Sequence, residues 1–144
     1  GHAGGGVTAR NLVIADADPR ERERYEALIQ GLGPDVGELK LHTAVDGREA
    51  LTLIELHRPA LVLAEVLLEG GSGLALLRRL RRVRGASAPP FIFVTTMARE
   101  SDRYWGLRNG AHGYVMKPYE DEVLQAKIRE VLAGSQAPER LNGL

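Results

Sequence analysis

The chain predicts a doubly wound α/β fold, with five parallel strands and five helices packed on both faces of the sheet. Three observations predict it. Five short apolar runs alternate with five helical patterns, which calls for right-handed crossovers and a parallel sheet. The runs inside Leu61–Val66 and Phe91–Thr95 are nearly continuous in apolar residues, as strands covered on both faces are. Four runs end on a polar residue: Asp16, Glu65, Thr95 and Lys117. In an open parallel sheet such ends converge on one crevice, where ligands bind.

The elements follow in order. A first strand is expected over Asn11–Ala15. Asp18 then caps a helix with Pro19 at its first position, and Tyr25, Leu28, Ile29 and Leu32 recur at helical spacing. Gly31 and Gly33-Pro34 end it. The second strand is Glu38–Ala44, where Leu39, Leu41 and Thr43 alternate with polar residues. Asp46 and Glu49 form a capping box for a helix that runs to Arg58, before Pro59. The third strand is Leu61–Val66 and the third helix Leu74–Arg84. The fourth strand, Phe91–Thr95, leads to a helix over Ser101–Asn109 with Gly110 as its stop. The fifth strand is Gly113–Met116. The last helix, Glu120–Ala133, carries acids at its start and Lys127 and Arg129 later, which suits the helix dipole.

At 144 residues the chain is long enough for one domain with a substantial core. Nineteen basic side chains balance nineteen acidic ones, so no overall charge drives it toward nucleic acid or membrane. Cysteine is absent, which excludes disulfides and thiol chemistry. No apolar run approaches the roughly 20 residues that span a bilayer, and no signal peptide is visible. A cytoplasmic protein is the simplest reading. Residues 1–9 read as an expression scar and flexible N-terminus, 10–133 as the folded domain, and 134–144 as a linker or tail.

The four strand ends would bring together a carboxylate pair, a hydroxyl and a lysine. With Lys117-Pro118 following the fifth strand, and all four pieces in order, residues 10–133 resemble the receiver domain of bacterial response regulators. The segment Trp105–Ala111 is similar to receivers of the chemotaxis and twitching-motility type. The resemblance implies a flavodoxin-like sheet and a phosphoacceptor site. Asp16 matches the first of the family's acidic pair, Glu65 the phosphoacceptor aspartate, Thr95 the switch hydroxyl, Tyr114 the aromatic switch and Lys117 the phosphate-pairing lysine.

The match breaks in two places that touch the chemistry, besides Thr96, where the family keeps a small residue, and Glu69, where it has its usual proline. Glu65 stands where the family has aspartate, and Ala17 stands where it has the second, metal-binding acid. Acyl-phosphate chemistry needs Mg²⁺ with oxygen ligands in near-octahedral order. Losing an acid at Ala17 leaves Asp16 and Glu65 as a weak metal site, so no cofactor is expected. Glu65 is longer than aspartate by about 1.5 Å, and a displacement of that size costs a nucleophile about 100-fold in rate. The same length carries its carboxylate toward the place of the phosphoryl oxygens, within reach of Lys117 and Thr95.

The expected function is that of a non-enzymatic two-component signalling module, a pseudo-receiver that works by protein–protein contact without phosphorylation. A receiver still phosphorylated by a histidine kinase and a small-anion-binding α/β module are the rivals. The resemblance places partner contact, with an output domain or signalling protein, on the surface of the fourth helix, fifth strand and fifth helix; it also allows a homodimer. Trp105, Arg103, Arg108 and Tyr119 are the expected anchors. The arginines of Arg78–Arg84 read as the solvated face of an amphipathic helix, since Leu76, Leu77, Leu80 and Val83 form its apolar stripe. No nucleic-acid contact is expected. Gly70–Gly73 lacks the lysine of a phosphate-binding loop, and His42, His57 and His112 lack metal-ligand spacing.

Overall fold

The computed structural model describes residues 9–134. The scar and tail expected from the sequence therefore lie outside the described residues, except for Ala9 and Gly134. The strands are β1 (Arg10–Ala15), β2 (Leu39–Ala44), β3 (Leu61–Ala64), β4 (Phe91–Thr95) and β5 (Gly113–Met116). The helices are α1 (Pro19–Gln30), α2 (Gly47–His57), α3 (Gly73–Arg84), α4 (Glu100–Arg108) and α5 (Asp121–Leu132). All strand pairs are parallel, in the order β2-β1-β3-β4-β5. The chain steps outward from β1 to β2 and then crosses to β3 on the other side. That reversal opens the crevice at the C-terminal ends of β1 and β3.

Strand alternation divides the core into two layers. Leu12, Ile14, Leu63, Ile92 and Val94 face α1 and α5, where Tyr25, Leu28, Leu124 and Ile128 meet them. Val13, Val62, Ala64, Phe91 and Phe93 face Ala50, Ile54, Leu77, Leu80 and Leu107 of α2, α3 and α4. Burying each large apolar side chain contributes about 1.5–3 kcal/mol. Among the described residues no helix is long and apolar enough to cross a membrane.

The helix starts show how local sequence chemistry sets these positions. Asp18 accepts a hydrogen bond from Arg20 N at 2.9 Å, with Pro19 opening α1. At α2, Asp46 accepts from Glu49 N at 2.8 Å, while Glu49 reaches back to Val45 N at 2.9 Å. Ser72 caps α3 by accepting from Ala75 N at 3.1 Å, a cap that the expected start at Leu74 overlooked.

β3 also stops at Ala64 rather than at Val66. Beyond Glu65 the backbone turns to its own loop: Leu67 N donates to the Glu65 side chain, and Gly73 N donates to Val66 O. A Cβ on Gly73 would lie 2.3 Å from Glu65 O. Only glycine lets α3 begin this close to the strand end.

Candidate functional site

Strand register brings the site together. Ala15 pairs with Ala64, so the next residues, Asp16 and Glu65, leave adjacent strands at one level. Glu65 N donates to Ala15 O at 3.0 Å, which holds the turn-out of β3 against β1. Lys117 N donates to Thr95 O at 2.8 Å, fixing the end of β5 beside β4. Asp16, Glu65 and Thr95 are all buried, at 2%, 6% and 0% exposure. Water therefore satisfies few of their polar atoms, and the protein must do so itself.

It does so fully. Lys117 Nζ lies 2.7 Å from Asp16 Oδ2 and 3.1 Å from Glu65 Oε1. Asp16 also accepts from Asp18 N at 3.0 Å and from the Tyr25 hydroxyl at 3.0 Å. Glu65 Oε2 accepts from the Thr95 hydroxyl and from Leu67 N, the latter at 3.1 Å. Glu65 Oε1 accepts from Thr96 N at 3.3 Å. One glutamate carboxylate thus gathers four donors: a hydroxyl, two backbone N–H groups and an ammonium.

These contacts set the charge states. Burial pushes the Glu65 pKa up, but the Thr95 hydroxyl, Leu67 N–H and Lys117 together outweigh it and hold the carboxyl below its usual range. Burial pulls Lys117 down, and Asp16 and Glu65 more than restore it, so the ammonium is held above its usual value. Burial, with Asp16 behind it, drives the Tyr25 hydroxyl strongly up and keeps it a neutral donor.

The donor set does not suit the Mg²⁺ that the family's chemistry requires. Both carboxylates already face Lys117, and every carboxylate oxygen has a protein donor. Ala17 offers no side-chain oxygen, and among the described residues no three or more His, Cys, Asp or Glu side chains form a metal-sized group. Asp18, displaced by one position, is spent on capping α1.

A hydrogen-bonded path leads away from Glu65. Thr95 donates to Glu65 and accepts from Met97 N at 3.1 Å; Met97 O accepts from the Tyr114 hydroxyl at 2.7 Å. The Tyr114 ring lies 5.7 Å from that of Phe93 and rests on Gly106, where a Cβ would come within 2.8 Å of it. Burial, with Asp102 and Glu65 nearby, pushes its hydroxyl up to about 12.

The five residues singled out from the sequence, Asp16, Glu65, Thr95, Tyr114 and Lys117, thus occur in one connected network. Sequence reasoning missed Tyr25, which had looked like an ordinary core position of α1, and Met97, which contributes only backbone. Tyr119 is largely buried, at 8% exposure, with the Arg24 guanidinium 4.1 Å above its ring and Glu21 at its hydroxyl; it offers only an edge, beside Arg103 and Val123, to the groove of the α4–β5–α5 face. Trp105, at 53% exposure, faces outward and lines a cleft between α3 and α4.

Fold and crevice together define a signalling module of the receiver class. Residues 12–129 match the response regulator receiver domain family, and the chain belongs to it. It is 35% identical over 123 residues to Protein PilH of Pseudomonas aeruginosa, covering 85% of this chain and 98% of that protein. It is 38% identical over 122 residues to the transcriptional regulatory protein AfsQ1 of Streptomyces coelicolor, covering 85% of this chain but 51% of that one. The chain likewise spans 53% of the response regulator Rre1 of Synechocystis, about half the length of such relatives. A response regulator structure from Chloroflexus aurantiacus superposes with a TM-score of 0.77 at 28% identity, covering 88% of this chain and 99% of that one. A CheY-like receiver domain from Methanospirillum hungatei gives 0.75 at 25% identity, covering 88% and 95%. The protein is a receiver module of the two-component type.

Proposed function

We propose that this receiver signals without phosphorylation, with the Glu65 carboxylate serving as a built-in substitute for the phosphoryl group. The observation that carries this reading is the set of four donors on Glu65. Lys117, Thr95, Leu67 N and Thr96 N surround an anion, and the longer side chain supplies that anion from within. Its single charge, against about 1.5 to 2 for a phosphate monoester, is held ionised by the same donors. Thr95 and Tyr114 are then drawn inward through Met97. This sets the α4–β5–α5 face in one conformation.

On that face lies a groove of about 520 Å³, bordered by Arg103, Tyr114, Val115, Pro118 and Val123. Val123 is 54% exposed. A signalling protein or output domain docks there, in a cytoplasmic setting. The module itself catalyses nothing.

The test is incubation with acetyl phosphate and Mg²⁺, followed by intact-mass measurement. The mass should stay unchanged. A stable gain of one phosphoryl group on Glu65 overturns the reading in favour of a receiver that a histidine kinase phosphorylates.

A further inference from the structure

The opposite flank of α4, facing α3, carries a second feature apart from the α4–β5–α5 groove. α3 has five arginines, Arg78, Arg79, Arg81, Arg82 and Arg84, and no carboxylate. Arg78, Arg79, Arg81 and Arg82 are exposed. At 100° per residue they fan across the outward side of the helix, opposite the buried Leu76, Leu77 and Leu80. Among the described residues, none of these five forms an ion pair. Arg78 and Arg82 stand one turn apart, as do Arg78 and Arg81, an arrangement in which like charges repel. A neutral protein thus concentrates uncompensated charge on one helix.

One of these arginines, Arg78, borders an apolar cleft, and Arg81 and Arg82 lie one turn further along the helix. Between α3 and α4 lies a space of about 350 Å³, walled by Leu74, Phe93, Met97, Trp105 and Tyr114, with Arg78 at its edge. This is the small end of the range of ligand sites, roughly 300–1,000 Å³, and holds one or two large side chains. Arg78 Nε is fixed by Asn109 Oδ1 at 3.0 Å, and the Arg81 side chain lies against Gly110. Two of the cations are therefore tied to the end of α4. Asp102, the one acid on the rim, is committed to the Arg99 N–H at the start of α4.

We infer that the α3–α4 cleft docks an acidic peptide segment of a partner protein, which inserts a bulky apolar side chain beside Trp105 and lays its carboxylates along the arginines of α3. Charge complementarity selects the acidic flank, and the apolar lining selects the inserted side chain. Exposed tryptophan and arginine are the side chains that most often dominate such contacts. A nucleic acid would meet the same charge, but the cleft walls offer almost no hydrogen-bonding groups for a base edge. Met97 and Tyr114 form part of the wall, and Tyr114 also borders the groove on the α4–β5–α5 face. Docking here would therefore be felt at the switch, although it does not depend on phosphate imitation by Glu65.

The test uses the full chain and a short Glu-rich synthetic peptide with central Leu and Phe. Binding is followed by the fluorescence of Trp105, the only tryptophan, and by amide chemical shifts. Saturable binding is expected, with shifts at Trp105, Met97 and Arg78. Replacing Leu and Phe by Ala in the peptide should weaken binding about tenfold or more, as should Trp105→Ala in the protein. Arg78→Gln with Arg82→Gln, a pair of changes on the solvent face, should weaken it comparably and flatten its salt dependence. Equal binding of the Ala peptide, shifts scattered away from α3 and α4, or no saturation by millimolar peptide overturns the inference. Tighter, Trp105-dependent binding of a single-stranded oligonucleotide overturns the choice of a peptide partner.

Discussion

The Tyr25 hydroxyl of α1 donates to Asp16 Oδ2 at 3.0 Å, placing a helix side chain beneath the crevice floor. Asp16 thus keeps its buried carboxylate satisfied by protein groups alone. Tyr25→Phe preserves the ring in the α1–α5 core and deletes the donor. Asp16 Oδ2 keeps Lys117 as a partner, so the change costs one hydrogen bond to a charged group, about 1.5–3 kcal/mol. Urea denaturation should show a loss of that size with an unchanged m-value.

Lys117 is the only cation within reach of both buried carboxylates among the described residues. Lys117→Met keeps the length and removes the charge, leaving Asp16 and Glu65 uncompensated. Breaking a buried pair from one side costs about 3–5 kcal/mol. The pH dependence should also change. Without Lys117 fewer groups oppose burial at Glu65, so the variant should lose less stability than the wild type as pH falls below about 4.5, measured by thermal unfolding across pH.

Glu65 has a folded-state pKa below its ordinary 4.5. Its interactions therefore contribute fully above that value and fade as pH falls through the lower, folded value. Lys117, raised above 10.5, keeps its contribution up to that pH and loses it at more alkaline pH. The stability difference between wild type and Glu65→Gln should be flat from pH 6 to 9 and shrink below about pH 4.5.

The strand ends were legible because each apolar run breaks to a polar residue at the level where the sheet opens: Asp16, Glu65, Thr95 and Lys117. The layer order followed from the continuous apolar character of β3 and β4. Tyr25 was not legible, because its spacing with Leu28 and Ile29 fits a core stripe and the hydroxyl leaves no separate mark. Leu67 N and Thr96 N were hidden for another reason: every residue carries a backbone N–H, and only the fold aims it. The burial of Tyr119 was not legible, because aromatic character alone does not distinguish an exposed ring from one held under Arg24.

On the proposed reading, phosphorylation should appear only when Glu65 and Ala17 are both changed. Glu65→Asp withdraws the carboxylate from Thr95 and Lys117 and leaves room for a phosphoryl group. Ala17→Asp supplies an acid beside Asp16 for Mg²⁺. The two changes serve one ion and one reaction, so their effects should be strongly non-additive. With acetyl phosphate and Mg²⁺, intact-mass analysis should find a phosphoryl adduct on the double variant and on neither single one. Ready phosphorylation of Glu65→Asp alone would mean that Ala17 is not the limiting defect.

Glu65→Gln tests the switch itself. The amide matches the carboxylate in shape, but it cannot accept at both ends. Its nitrogen must face either Lys117 or the Thr95 and Leu67 side, where only donors point in. Thr95 then loses its charge-assisted bond, roughly twice as strong as a neutral one. The constraint passed on through Met97 to Tyr114 loosens with it. Chemical shifts of Tyr114, Met97 and Trp105 should move and broaden, while the β1 and β3 core amides stay in place. Partner binding through the α4–β5–α5 face should weaken in the same variant. Glu65→Ala should do the same or more, since it removes the anion and opens a cavity. If both variants leave Tyr114 and that face unchanged, Glu65 is a structural acid only, and the module is a fixed scaffold.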